Sequence, residues 1–153
     1  MNQTLMSYLI PLAVACVVWV IFGVFLILPF SETLSLASVA VEVFVARCQV
    51  FFGIAITLSL ALVAFWIYNG KKDSTLANLD NVKRLWYQLV VVEAVIAIVL
   101  AVILFVMHAG EGLTVGDDLI LLIGFFIMTV GYFALCTFFF SPTNVIYAVP
   151  LRK

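Results

Sequence analysis

Residues 85–108 read LWYQLVVVEAVIAIVLAVILFVMH, a run of 24 residues in which Glu93 is the one acidic side chain and no Lys or Arg occurs. An α-helix rises about 1.5 Å per residue and the hydrocarbon core of a bilayer is about 30 Å thick, so about 20 apolar residues cross it. The run is therefore long enough and apolar enough to be a transmembrane helix.

Three further runs of the same kind occur in the chain, at about residues 6–30, 50–69 and 119–140. They are apolar on every face, whereas the strands of a membrane β-barrel alternate apolar and polar residues over about ten positions. The sequence therefore predicts an all-α integral membrane protein. Its four helices form an antiparallel up-down bundle, and residues 1–153 make up one transmembrane domain.

The composition excludes several classes of protein. Hydrophobic residues make up 67% of the chain and charged residues 10%, whereas a soluble domain carries about 25% charged residues. The net charge of −1 gives no field that would hold a nucleic acid. No nucleophile elbow, zinc-protease motif or phosphate-binding loop is present in the sequence, so we expect no enzymatic activity.

The positions of the basic residues predict the orientation. Six of the seven lie in the loop 70–84 or at the end of the tail 141–153, namely Lys71, Lys72, Lys83, Arg84, Arg152 and Lys153. In a four-span chain this loop and both termini share one side, and basic residues are depleted from translocated loops. Both termini and the loop are therefore predicted to be cytoplasmic.

The segment 31–49, SETLSLASVAVEVFVARCQ, fits neither a loop nor a span well. It could extend the second helix beyond the lipid, or form a separate helix at the membrane interface. An extended segment that pairs with a partner is a third alternative. The helical alternatives are favoured because the apolar alternation in this segment is imperfect.

Two residues are candidates for chemistry. An acid within a span is normally protonated, paired or in contact with water, so Glu93 either lies on an ion or substrate path or makes a structural contact with a neighbouring helix. His108, the single histidine, is a weak candidate for haem or quinone binding because a bis-histidine haem needs a second ligand. No cofactor or metal site is predicted, although a lipid or quinone could lie between helices.

Small residues predict where helices approach each other closely. They are Gly53, Thr57 and Ala61 in the second run, Ala97 and Ala101 in the third, and Gly124 and Gly131 in the fourth. Aromatic and basic residues near the loop 70–84 are predicted to anchor the protein at the headgroups, namely Trp66, Tyr68, Lys71, Lys72, Lys83, Arg84, Trp86 and Tyr87.

The function expected from these features is that of a small structural or assembly subunit of a larger membrane complex. Polar side chains are scarce in the spans, and the fourth run carries more bulky Phe side chains than a four-helix core can enclose. The partners would be the lipid bilayer and other membrane subunits or further copies. The alternatives are a homo-oligomeric transporter or channel that uses Glu93, and a redox-complex anchor that uses His108.

The predicted orientation can be tested with an introduced thiol. In a Cys48→Ser background, Thr75→Cys should not react with a membrane-impermeant maleimide added to sealed, right-side-out cells, because the loop 70–84 is predicted to be cytoplasmic. Gly112→Cys, in the loop predicted to be exterior, is the positive control. Labelling of Thr75→Cys without labelling of Gly112→Cys would reverse the topology.

Overall fold

The computed structural model describes residues 3–27, 38–72, 79–108 and 115–142, together with Val145, Ala148 and Val149. The helices are α1 (Gln3–Ile21), α2 (Ser38–Lys72), α3 (Leu79–His108) and α4 (Val115–Phe140), and a π-helical turn, Phe22–Ile27, follows α1. All four helices are long and apolar enough to cross a membrane. The prediction of an all-α, four-helix membrane protein is confirmed.

Helices α2 and α4 form the centre of the bundle, and α1 and α3 flank them. In an apolar 18-residue stretch of each span, 39% of the residues are buried in α2 and α4 but only 22% in α1 and 28% in α3. Helix α4 packs on α3 and α2, whereas α1 packs mainly on α2. Consecutive helices run in opposite directions, since Trp19 near the end of α1 donates a hydrogen bond to the carbonyl of Gln49 near the start of α2.

Three phenylalanine rings pack together in the core near the end of α1. Phe22 of the π-helical turn stacks on Phe52 of α2 with ring centroids 3.7 Å apart. Phe125 of α4 meets both rings edge-on, at 5.3 Å and 5.6 Å. Edge-to-face pairs of this kind contribute about 0.5–1.5 kcal/mol each beyond ordinary contact. This cluster therefore ties α2, α4 and the turn after α1 together.

The opposite end of the bundle, which carries Lys71, Lys83 and Arg84, is called the basic end below. There the indole N–H of Trp66 donates to Ser141 Oγ at 2.7 Å, and that of Trp86 donates to Thr137 Oγ1 at 3.1 Å. Both indoles are buried. An N–H group in an apolar environment needs an acceptor, and α4 and the residue after it supply two hydroxyls.

This burial differs from the prediction that Trp66 and Trp86 anchor the protein at the headgroups. The two tryptophans hold helices together, because their N–H groups find acceptors inside the bundle. The tyrosines of the predicted set, Tyr68 and Tyr87, are exposed over more than half of their surface, as an interfacial anchor requires.

Part of the predicted tail 141–153 folds back over the basic end. Val145, Ala148 and Val149 are buried, and a Cβ atom on Gly70 of α2 would lie 2.6 Å from Val145 Cγ2. That distance is too short for a contact of two carbon atoms, so a larger residue at position 70 would require Val145 to shift. Val145 therefore packs on the end of α2.

The segment 38–49 is the first part of α2, and not a separate interfacial helix or an extended strand. No glycine or proline interrupts the chain between Ser38 and Phe52, so helical hydrogen bonding continues into the span. At 35 residues, α2 is about 52 Å long. Residues 31–37 lie outside the described part of the chain.

Candidate functional site

Glu93 lies on the inward face of α3, and its side chain is completely buried. The buried residues of α3 recur every three or four positions, which is the period of one helix face. They are Trp86, Leu89, Glu93, Ala97, Ala101 and Leu104. The carboxyl group therefore lies inside the bundle and is not exposed to lipid.

Ser59 of α2 is a polar neighbour of the Glu93 carboxyl. The Ser59 side chain is also fully buried, on the same inward face of α2 as Phe52 and Val63. Neither carboxyl oxygen of Glu93, nor the Ser59 hydroxyl, makes a hydrogen bond within the described part of the chain. The two groups therefore face each other across the α2–α3 interface without hydrogen-bonding geometry.

Tyr132 of α4 connects α4 to α1 in this region of the bundle. Its hydroxyl donates a hydrogen bond of 2.8 Å to the carbonyl oxygen of Pro11 in α1. Proline has no N–H, so this turn of α1 has one internal hydrogen bond fewer than a regular helix. The tyrosine therefore ties α4 to α1 at this proline.

The Tyr132 hydroxyl also interacts with Cys136 of α4 and Glu93 of α3. We call this buried set of side chains from α2, α3 and α4 the Glu93 cluster, with the members Ser59, Glu93, Tyr132 and Cys136. All three cysteines of the chain are free thiols, and Cys16 of α1 is exposed on the outside of the bundle.

The chemistry available to the Glu93 cluster is that of a single acid among neutral groups. A charged side chain at the centre of a membrane helix costs about 2.5–3.5 kcal/mol on insertion scales. A neutral carboxylic acid avoids this cost and can both donate and accept a hydrogen bond. Hydroxyl, phenol and thiol groups stay neutral in such a place, so the cluster could bind and release one proton at Glu93.

No metal site is apparent among the described residues, since no three His, Cys, Asp or Glu side chains there come together. His108 is the last residue of α3, at the end opposite the basic end. Its side chain lies outside the described part of the structure. Glu93 and His108 are 15 residues apart on one helix, or about 22 Å, so they cannot act on the same ligand.

The residues predicted to lie at close helix contacts differ in their burial. Ala97, Ala101 and Gly124 are buried, and a Cβ atom on Gly53 would touch the Trp19 indole at 3.4 Å. Thr57 and Ala61 are exposed. A Cβ atom on Gly131 would meet no atom within 4 Å, so this glycine is not needed for a close helix contact, contrary to the prediction.

Comparison with known protein families, with curated proteins and with solved structures gives no match to this chain. Its function therefore has to be inferred from its own residues.

The sequence indicates Glu93 as a candidate but gives no comparable reason to select Ser59 or Tyr132. One signal was present in the fourth run. The buried positions of α4 include Phe125, Thr129, Tyr132 and Cys136, again three or four residues apart. Polar residues at that spacing share one helix face, and in an apolar helix this face is the one expected to turn inward.

The link between Tyr132 and Pro11 can be measured. Tyr132→Phe removes the hydroxyl and should lower the free energy of unfolding in detergent micelles by about 1 kcal/mol, the usual size of such a bond in a membrane bundle. Tyr87→Phe is the matched control, because Tyr87 is 55% exposed. Equal stability of the two variants would show that the bond to Pro11 contributes nothing.

Proposed function

We propose that the protein is a small, non-enzymatic membrane subunit with a structural or assembly role in a larger membrane complex. The observation that carries this proposal is the length of α2, which has 35 residues where about 20 would cross the hydrocarbon. Even at a tilt of about 40°, the upper end of the usual range, a helix of this length spans about 40 Å along the membrane normal. About 10 Å of α2 would then extend beyond the hydrocarbon core.

The exposed face of the first part of α2 is suited to a protein partner. Val43 and Val50 are 42% and 61% exposed, and Ala46 between them is also exposed. Spacings of three and four residues place these side chains on one stripe of the helix. Phe44 and Cys48 face the bundle instead and are fully buried. The part of this stripe that extends beyond the lipid gains stability when another protein covers it.

The orientation predicted from the basic residues places this stripe on the exterior side. The basic end, both termini and the loop 70–84 would then be cytoplasmic. The proposed partner is therefore a membrane subunit with an apolar surface that extends outside the bilayer, and it would contact α2 close to where this helix leaves the membrane.

Native mass spectrometry of the protein extracted in mild detergent tests this proposal. We expect a second polypeptide at fixed stoichiometry. The double variant Val43→Ser/Val50→Ser should reduce recovery of that polypeptide by about tenfold, because it removes apolar contact area. Leu58→Ser, also exposed on α2 but closer to the middle of the span, is the matched control. Recovery of the wild-type protein as a lone monomer would contradict the proposal.

A second candidate function is favoured by the burial of Glu93, whose two carboxyl oxygens have no hydrogen-bond partner in the described structure. The protein would then be a small transporter or channel that carries protons. Because Glu93 is buried inside one bundle, the path would run through a single chain and not along a surface between copies. For a redox anchor that uses His108, no observation of the described residues adds support.

Proton flux separates the second candidate from the first. In proteoliposomes that contain a pH-sensitive dye, Glu93→Gln should abolish flux if the carboxyl carries the proton, because the amide cannot release one. Glu42→Gln, an exposed position on α2, is the control and should leave flux unchanged. Flux in Glu93→Gln equal to that of the wild type would eliminate this function.

A further inference from the structure

An open groove runs along the outside of the bundle between α1 and α2. Its upper part, lined by Trp19, Cys16, Gly53 and Thr57, has a volume of about 230 Å³. Its lower part, lined by Tyr8, Pro11, Ala64 and Ile67, is of the same size. Leu12 and Leu60 line both parts, so the two parts adjoin each other along α1 and α2.

The walls of the groove favour an apolar occupant. The side-chain donors in its upper wall already have acceptors within the protein, since Thr57 Oγ1 donates to the carbonyl of Gly53 at 2.7 Å and Trp19 Nε1 donates to that of Gln49 at 3.2 Å. Small residues such as Gly53 and Ala64 give the groove its depth. A polar ligand would gain few hydrogen bonds there, whereas a hydrocarbon chain would gain close contact.

The groove is long enough to hold an acyl chain across one leaflet of a bilayer. From Gly53 to Ile67 it follows 14 residues of α2, or about 21 Å. Half of the hydrocarbon core is about 15 Å. An acyl chain that starts at the membrane surface and stays in one leaflet is therefore shorter than the groove.

A cation lies where the groove reaches the basic end. Lys71 Nζ is 5.1 Å from the centre of the Tyr8 ring and donates a hydrogen bond of 3.3 Å to Ser7 Oγ. Tyr8 also lines the lower part of the groove. Lys71 is exposed, and neither of these two contacts carries a negative charge. The ammonium group is thus held at the position where the headgroup of a lipid in the groove would lie.

From this arrangement we propose that the α1–α2 groove is a binding site for one anionic phospholipid of the surrounding bilayer. One acyl chain lies along the groove from Tyr8 toward Gly53, and the headgroup phosphate pairs with Lys71. Lysine near a membrane surface attracts anionic lipid by electrostatics, and the aromatic ring of Tyr8 orients the ammonium group. The site is independent of the α2 stripe proposed to bind a protein, which lies nearer the opposite end of α2.

Native mass spectrometry of the full chain in detergent with defined lipids tests the proposal. The probes are phosphatidylglycerol and phosphatidylcholine with identical palmitoyl and oleoyl chains. We expect one retained lipid, with a preference for phosphatidylglycerol of about fivefold, which corresponds to about 1 kcal/mol for one lysine. Lys71→Gln should abolish the preference. Arg84→Gln, an exposed cation at the basic end on α3, should keep it.

The groove itself is tested by filling it. Ala64→Phe places a ring in the lower part and should reduce retention of both lipids by at least tenfold, whereas Ala61→Phe, exposed on α2 but not among the groove residues, should not. A thermal unfolding curve identifies any variant that fails to fold. If Ala64→Phe does not fold, the lipid preference of Lys71→Gln decides the test by itself. Equal retention of the two lipids by the wild type, loss of the preference in Arg84→Gln, or a second copy of the chain in place of lipid would each overturn the proposal.

Discussion

Hydrocarbon offers no hydrogen bonds, and the structure of this protein depends on that fact. Backbone N–H and C=O groups at membrane depth have to find partners within the protein, so the chain forms helices. The same constraint determines how the helices associate, because the drive that water gives to apolar contacts is absent in lipid. Helix association in this bundle therefore depends on close packing and on a few interhelical hydrogen bonds.

These two contributions lie at different levels of the bundle. The ring cluster of Phe22, Phe52 and Phe125 packs one end without any polar contact. At the basic end, the indoles of Trp66 and Trp86 donate to hydroxyls at the end of α4 and just after it. The Glu93 cluster lies between these two levels, because Ser59 lies between Phe52 and Trp66 along α2.

The outside of the bundle carries the features on which function can act. The first part of α2 presents an apolar stripe where the helix leaves the membrane, and the α1–α2 groove ends at Lys71 on the opposite side. A subunit that binds a protein at one membrane surface and an anionic lipid at the other would be fixed in depth and orientation. In this arrangement the weakly packed α1 has a role in lipid binding, because it forms one wall of the groove.

The sequence by itself determined the number of helices, their class and the presence of one acid within a span, because length and hydropathy depend on local composition alone. The sequence also allowed the second span to extend beyond the lipid as one longer helix. The continuous α2 agrees with this alternative. Only the tertiary structure decided which face each helix turns inward. Aromatic residues near a membrane boundary can anchor a protein at the headgroups or pack inside the bundle. Trp66 packs inside the bundle because Ser141 accepts a hydrogen bond from its indole N–H there. The partners of Glu93 come from residues 34 or more positions away in the chain, and no local pattern records which of them meet.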